Sequence, residues 1–221
     1  MLKYALKLGF RNLIKNKINS VIYIFSLASG ITILLLIAIF VNNELSVDDF
    51  HSNSSMIYKI SYDKSSATPG PLSGLLKTNF PEIKNATHIE THQISTFSSV
   101  LTYNNQSFEF ESYYSVDPSF FDVFDFQVLE GNIKKALISP FSIIVTESEA
   151  RRLFKNENPI GKNLKLKAYQ DFDFTVNAIV KDIPQNSSIK FNGLITESSV
   201  RRIGFKYPDN WGYIVYESYI Q

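Results

Sequence analysis

The chain has 221 residues, of which 44% are hydrophobic and 19% charged, a composition typical of a folded protein rather than a disordered one. It contains no cysteine, which excludes thiol catalysis, cysteine-ligated zinc, iron–sulfur clusters, disulfides and a lipoprotein anchor. The net charge of +1 averages over a basic start and a body from Glu44 onward, whose 17 basic and 21 acidic side chains give about −4 and argue against nucleic acid as a partner.

The first seventeen residues predict a basic amphipathic helix that lies in the inner headgroup layer of a membrane. Apolar residues recur every four positions beside basic residues at the same spacing. The apolar residues are Leu2, Leu6, Phe10 and Ile14, and the basic ones are Lys3, Lys7, Arg11, Lys15 and Lys17. The alternative interpretation is a charged tail that only sets membrane topology.

Residues 21–41 contain no charged side chain and predict a transmembrane helix, because a helix of this length spans about 30 Å. The preceding basic residues place the N-terminus in the cytoplasm and the chain from Asn42 outside it. A cleaved signal peptide is the alternative, but the apolar run exceeds roughly 7–15 residues and ends in bulky side chains. Within the span, Ser26, Ala28, Ser29 and Gly30 form a small-residue patch against which another helix can pack, although such residues are common in membrane helices.

Beyond Glu44 the pattern predicts an α+β domain, because strands alternate with too few helices for a doubly wound sheet. Strands are expected at residues 57–62, 95–103, 107–116, 126–130, 142–146, 164–167, 172–182, 191–196 and 213–220, with a hairpin around Asn104 and Asn105. Helices are expected at 71–80, 118–124 and 147–154. Thr146 is expected to cap the last of these, with Glu149 completing a capping box.

His88, Glu90 and His92 are the one group of residues that resembles a metal site, since alternate residues of a strand share a face. The sequence HIETH is not the HExxH of zinc proteases, and no third strong ligand or general base is marked. We therefore interpret these residues as an exposed polar strand face and predict no metal and no cofactor.

The remaining motifs point to packing rather than chemistry. Gly161 and Lys162 lack the other residues of a phosphate-binding loop, and no GxSxG motif occurs. The aromatic cluster of Phe120, Phe121, Phe124 and Phe126 predicts a core or a subdomain junction rather than a ligand cage. Because no nucleophile, base and orienting partner occur together, the chain is not expected to be an enzyme.

Five segments, in order, resemble a known family. They read LKLGFRNLIKNKINSVIYIFSLASGIT, ELSVDDFHSNSSMIYKIS, DPSFFDVFDFQVLEGN, ALISPFSIIVTESEARRLFKNENPIGKNLKL and FTVNAIVKDIPQNSSIKFNGLI. The chain resembles the N-terminal part of a MacB/FtsX-type ABC transporter permease of the kind abundant in Bacteroidetes. The resemblance implies a cytoplasmic start at 1–17, a transmembrane helix at 18–43 and, at 44–221, a MacB-like periplasmic core domain of two mixed α/β lobes.

The resemblance also implies a bacterial inner-membrane location and an ATP-binding partner subunit, usually in a dimer, whose ATP hydrolysis moves the periplasmic domains. Relatives of this kind export macrolides, peptides or lipoproteins, or act as regulators or sensors. The sequence departs from the pattern because it reaches Gln221 with one apolar span and no Walker motif. We interpret it as a fragment, a truncation or the product of a split or degraded gene. A stand-alone membrane-anchored binding or sensor module is the second hypothesis, and a tethered hydrolase using His88, Glu90 and His92 is the third.

Overall fold

The computed structural model describes residues 2–61, 65–90, 100–109, 111–167, 170–204 and 207–221. The chain divides into two compact units, Met1–Val47 and Asp48–Gln221, which are described separately below. The predicted strand residue Tyr62 and the predicted strand start at 95–99 lie outside the described residues, as does His92.

The first unit consists of two helices, α1 (Leu2–Lys15) and α2 (Lys17–Leu45). They are separated at Asn16, and the hydroxyl of Ser20 closes the junction by donating to the carbonyl oxygens of Leu13 at 2.8 Å and Asn16 at 2.9 Å. Within the described chain, α2 is the one helix long and apolar enough to cross a membrane, with a mean hydropathy of 2.7 over its most apolar stretch. The expected apolar helix is therefore present.

The second unit is a mixed α/β domain whose described residues form twelve strands. The strands are β1 (Tyr58–Lys59), β2 (Ala67–Pro69), β3 (Ala86–Glu90), β4 (Val100–Tyr103), β5 (Gln106–Glu109), β6 (Tyr113–Val116), β7 (Val128–Gly131), β8 (Ser142–Thr146), β9 (Asn163–Lys167), β10 (Asp171–Val180), β11 (Gly193–Thr196) and β12 (Ile214–Ile220). The α-helices are α3 (Pro71–Asn79), α4 (Phe120–Val123), α5 (Ile133–Ile138), α6 (Glu147–Phe154) and α7 (Glu197–Ile203), and short 3-10 turns occur at Ser54–Met56 and Tyr207–Asp209.

All twelve strands belong to one sheet, in the order β1-β12-β3-β6-β11-β8-β10-β9-β4-β5, with β2 paired to β12 and β7 to β10. The pairs β8–β10 and β6–β11 are parallel, and the other pairs are antiparallel. Side chains of successive strand residues point to opposite faces, so Ile143 and Ile144 enter different cores. One core includes residues of α6 and α7, and the other includes residues of α4 and α5. The predicted mixed α/β domain behind an N-terminal apolar helix is confirmed.

Several local signals gave the correct element. Asn104 and Asn105 both have positive φ, as a two-residue hairpin turn between β4 and β5 requires. The turn before β9 is fixed where Asn158 Oδ1 accepts the N–H of Ile160 at 2.8 Å. Gly131 has a φ of 91°, and a side chain there would overlap the carbonyl of Asn177. The aromatic cluster is core, since Phe120, Phe124 and Phe126 are buried.

Two expectations were wrong in detail. The strand expected at 107–116 is divided into β5 and β6, because the chain turns at Ser112, whose φ is 55°, and moves from the sheet edge to a position between β3 and β11. Thr146 does cap α6 by accepting the N–H of Glu149 at 3.4 Å. The reciprocal half of the capping box is absent because the N–H of Thr146 donates to Asn192 instead. Helices α5 and α7 were not predicted from the sequence.

Candidate functional site

The basic helix α1 carries its charge on exposed side chains. Lys7, Arg11 and Lys15 are exposed, as is Lys17 at the start of α2; the side chain of Lys3 lies outside the described part of the helix. Two apolar side chains, Leu13 and Ile14, are also exposed, at 42% and 56%. A helix with cationic and apolar side chains open to its surroundings suits a surface that combines anionic headgroups with hydrocarbon.

The small-residue patch on α2 is open. Ser26, Ala28 and Gly30 are exposed and Ser29 is half-buried, and nothing lies within 4 Å of the position that a Cβ on Gly30 would occupy. The hydroxyl of Ser29 donates to the carbonyl of Phe25 at 2.7 Å, so its polarity is satisfied within the helix. A second helix can therefore pack here without unpairing the Ser29 hydroxyl, and that packing role stays a prediction.

The residues that follow α2 form a docking segment, defined here as residues 48–57. Asp48 starts it, and Oδ1 of Asp48 accepts the N–H of Ser188 at 2.8 Å and the hydroxyl of Ser187 at 3.2 Å. The N–H of Asp48 donates to the carbonyl of Asn186 at 2.9 Å. Both the carboxylate and the backbone N–H of Asp48 are thus hydrogen-bonded to the loop before β11.

The middle of the docking segment is held by His51 and Ser52. Nδ1 of His51 accepts the N–H of Asp125 at 3.0 Å, and Oδ2 of Asp125 accepts the N–H of Ser52 at 2.9 Å. The imidazole packs against Phe124 and Phe126, with ring centroids 5.3 and 5.1 Å away. Burial lowers the pKa of His51 and outweighs the charges of Asp48 and Asp125, so the ring is a neutral, structural side chain.

A cavity of about 410 Å³ lies beside the docking segment. Its walls include Asp48, His51, Ile57, Phe124, Ile189 and Tyr219. The docking segment was not singled out in the sequence analysis, except as part of the text ELSVDDFHSNSS that carried the family resemblance. The sequence signal for the docking segment was the group of polar residues that follows the apolar span.

His88 and Glu90 do not form the exposed polar face that the sequence predicted. They are 6% and 4% exposed, because β3 lies between β12 and β6 and is contacted by side chains of α3 and α7. Nδ1 of His88 lies 2.7 Å from the hydroxyl of Ser73, and Nε2 lies 3.3 Å from Oε1 of Glu197. His92 lies outside the described residues, and within them no group of three or more metal-ligating side chains occurs.

Ser73, His88 and Glu197 form a hydrogen-bonded row that superficially resembles a catalytic serine–histidine–acid arrangement. Ser73 is 3% exposed and His88 is 6% exposed, so a substrate cannot reach the hydroxyl without rearrangement of the fold. Arg201 also donates to Oε1 of Glu197 at 2.9 Å. The Glu197 carboxylate is therefore engaged in an ion pair within α7. The row holds α3 and α7 to β3 and offers no nucleophile to a substrate.

Glu90 is the unusual member of this region. Within the described residues, its Oε2 atom has no hydrogen-bond partner, and the same is true of the hydroxyl of Tyr216. Tyr216 is the cross-strand neighbour of Glu90 on β12. Burial raises the pKa of Glu90 to about 7, with His88 lowering it and Glu197 raising it further. Burial also raises the pKa of the Tyr216 hydroxyl, with the charge of Glu90 adding to the effect.

Four residues of this region were not predicted from the sequence: Ser73, Glu197, Arg201 and Tyr216. A signal for Glu197 was present, because ITESSVRRI at 195–203 repeats the pattern of VTESEARRL at 145–153. The first copy was interpreted as a strand followed by a capped helix, and the second copy is the same unit, β11 followed by α7. For Ser73 and Tyr216 no local signal exists, since their roles arise only from strand order.

Comparisons with known proteins agree with this architecture. The family profile of the MacB-like periplasmic core domain matches residues 20–215. A domain of a candidate permease protein from Porphyromonas gingivalis is similar in structure, with 22% identity, a TM-score of 0.57, and coverage of 71% of this chain and 63% of that one. The periplasmic region of MacB from Actinobacillus actinomycetemcomitans is also similar, with 19% identity, a TM-score of 0.52, and coverage of 75% and 72%. At these identities the structures show a shared fold, and among curated proteins no relative matches the chain.

Proposed function

The chain belongs to the family of MacB-like periplasmic core domains of ABC-type permeases, and from this premise we propose that it is the N-terminal part of a permease subunit that transmits motion across the membrane. In this role, α2 crosses the inner membrane, and residues 48–221 move on the periplasmic side. ATP is hydrolysed by a separate ATP-binding subunit, so the chain itself performs no catalysis.

The observation that carries this proposal is the docking segment. It begins three residues after the end of the apolar helix, and Asp48, His51 and Ser52 are each hydrogen-bonded to parts of the domain distant in the sequence. A free linker at this position would absorb a displacement of the helix. A hydrogen-bonded segment instead passes the displacement to the loops that carry Asp125 and Ser188.

The proposed orientation follows from charge. No acidic residue precedes Glu44, and the five basic residues of the start lie within about 20 residues of the apolar span. This pattern favours a cytoplasmic N-terminus, with α1 lying on anionic lipid near the ATP-binding subunit. The open patch at Ser26, Ala28, Ser29 and Gly30 is proposed to pack against another helix, either within the permease or across a homodimer or pseudo-dimer.

The first test is an affinity pull-down of the tagged parent protein from detergent-solubilised membranes, with the co-purifying chains identified by mass spectrometry. Stoichiometric recovery of an ATP-binding subunit supports the transporter proposal. Recovery of this chain alone, intact and with no ATPase, would overturn it in favour of a stand-alone anchored binding or sensor module.

A second test asks whether α1 contributes to coupling. Replacing Lys3, Lys7 and Arg11 with Glu reverses the charge that faces anionic lipid, so we expect ATPase stimulation by the permease to fall several-fold, since each basic residue contributes about 1 kcal/mol of attraction to the membrane surface. The measurement is the ATPase rate of the reconstituted complex in vesicles containing anionic lipid.

The matched control reverses the same number of basic charges on the periplasmic domain by changing the exposed residues Lys155, Lys165 and Lys167 to Glu. This control should leave the ATPase rate unchanged. Unchanged ATPase stimulation and transport in the α1 variant would contradict the role assigned to this helix.

A further inference from the structure

Ionisable groups collect where β3 and β12 meet α7, most of them buried and two, Arg201 and Asp209, exposed. They come from five neighbouring elements: His88 and Glu90 from β3, Tyr216 from β12, Asp117 from the end of β6, Glu197 and Arg201 from α7, and Asp209 from the 3-10 turn after α7. Asp117 accepts the hydroxyl of Thr87, and Arg201 donates to Asp209 as well as to Glu197. We name this group the β3 cluster.

The β3 cluster has more acids than cations. Glu90, Asp117 and Glu197 are all less than 9% exposed, whereas the one arginine, Arg201, is shared between Glu197 and Asp209. A buried carboxylate without a cation or a hydrogen-bond donor is strongly disfavoured relative to its neutral form. Bound protons would balance the excess negative charge of these carboxylates, and they can be held by His88 and by a carboxyl group.

Glu90 is the group that fits a bound proton best. Its Oε2 atom has no hydrogen-bond partner within the described residues, and no salt bridge to it occurs there. The hydroxyl of its cross-strand neighbour Tyr216 is equally unpartnered. A protonated carboxyl is neutral and both donates and accepts hydrogen bonds, so it matches a buried site without a cation.

We propose that the β3 cluster is a proton-binding site, with Glu90 as the residue that takes up the proton, and that its occupancy controls how firmly α7 packs against the sheet. When Glu90 loses its proton, a second buried negative charge faces Glu197, the residue that ties α7 to His88. Repulsion between these two carboxylates then weakens the contact of α7 with β3.

The electrostatics of the cluster support this assignment. Burial raises the pKa of Glu90 to about 7, and burial also raises the pKa of Asp117. Burial alone would lower the pKa of His88, but the hydrogen bond to Glu197 and the charges of Asp117 and Glu197 outweigh it and raise it. All three groups therefore hold protons more tightly in the folded chain than in the unfolded one.

The direction of the pH effect follows from this. Between the ordinary pKa of a glutamate, 4.5, and about 7, the folded chain keeps the Glu90 proton that the unfolded chain has released. Stability is therefore highest at the acidic end of this window and falls as pH rises through it. The pH dependence that His88 contributes has the same sign, because its stabilising contribution is lost as pH rises through its pKa in the folded chain.

The test uses the full chain in detergent micelles and compares the wild type with Glu90→Gln, a neutral analogue of the protonated acid. In the wild type we expect the melting temperature to fall by roughly 5 °C between about pH 5 and about pH 8. We expect hydrogen-exchange protection of the α7 amides, corrected for the intrinsic rate, to fall about tenfold or more over the same range. In E90Q both changes should be clearly smaller, because only the contributions of His88 and Asp117 remain.

The matched control is Glu147→Gln, at the corresponding start of α6, where the glutamate is paired with Arg151 at the surface. It should keep the wild-type pH dependence. The same pH dependence in E90Q as in the wild type would overturn the proposal.

A second measurement does not depend on a variant. Infrared difference spectra of the wild-type chain should show the carbonyl band of a protonated carboxylic acid at about pH 6, in a window where exposed glutamates are ionised. Absence of that band would also overturn the proposal. Both measurements need only this chain, so their outcome is separate from whether an ATP-binding subunit is its partner.

Discussion

The units β8–α6 and β11–α7 share the sequence pattern TES…RR but place their acidic groups in different surroundings. In the first unit, Glu147 is paired with Arg151 at the surface, and the buried acid is Glu149, which is 4% exposed. In the second unit, Glu197 occupies the position of Glu147 but is itself buried, and a serine, Ser199, stands where the first unit has Glu149. The same local pattern therefore precedes two helices, of which only α6 has a side-chain cap, while tertiary packing decides which acid is removed from water.

The two buried regions also differ in how completely they are paired. Glu149 accepts the hydroxyl of Tyr113 at 2.6 Å and two N–H groups of Arg152 at 2.6 and 2.7 Å. Within the described residues, Glu90, which is equally buried, has no such set of donors, and its Oε2 atom has no partner. Burial does not by itself set the protonation of an acid; the donors around it do. The surroundings of Glu149 stabilise an ionised carboxylate, whereas those of Glu90 favour the protonated acid.

The largest expected effect comes from removing the well-paired acid. Glu149→Ala should destabilise the domain by about 3 kcal/mol at neutral pH, because it leaves Arg152 and the buried Tyr113 hydroxyl without their shared partner. Because Arg152 is partly exposed, the expected loss in the free energy of unfolding lies at the low end of the range for broken buried ion pairs. Urea unfolding of the full chain in detergent, followed by circular dichroism, measures it. A loss below about 1 kcal/mol would show that the pairing contributes little.

A matched pair of alanine substitutions compares the two units directly. Glu197→Ala should cost about 2 kcal/mol, because it removes the hydrogen bond to His88 and the ion pair with Arg201 from a buried position. Glu147→Ala removes an exposed ion pair and should change stability by less than about 0.5 kcal/mol. The same urea assay measures both. Equal losses would mean that the difference in burial has no energetic consequence.

The smallest expected effects separate the two tyrosine hydroxyls. Tyr113→Phe should cost about 1 kcal/mol, because Glu149 loses a buried donor. Tyr216→Phe should be neutral or slightly stabilising, because this hydroxyl is buried without a partner in the described structure. Thermal melts near about pH 6 measure both, where Glu90 still holds its proton. A larger loss for Y216F would show that its hydroxyl has a partner in solution, such as an ordered water.

The parts of the fold that sequence analysis predicted well are those with local causes. The helix Glu147–Phe154 follows from a capping threonine and an apolar spacing of three to four residues, and the β4–β5 turn follows from two consecutive asparagines. The membrane helix follows from length and hydropathy alone. Each of these signals lies within a few residues of the element that it specifies.

The β3 cluster could not be predicted in the same way. The alternation at His88 and Glu90 correctly places both side chains on one face, but whether that face meets water depends on strand order. Residues more than a hundred positions later, Glu197 and Tyr216, bury it. The repeated TES…RR pattern would have revealed α7, but not the partner of its first glutamate, because His88 is brought there only by the completed sheet.

The docking segment also decides where a water-soluble form of the domain can begin. A version that starts at Asp48 keeps two hydrogen-bond acceptors. They are the Asp48 carboxylate, which accepts the N–H of Ser188, and the His51 imidazole, which accepts the N–H of Asp125. A version that starts at β1 discards both acceptors and uncovers the rings of Phe124 and Phe126, which pack against His51. For crystallisation or binding studies, the ten residues of the docking segment thus belong to the folded domain and should be kept.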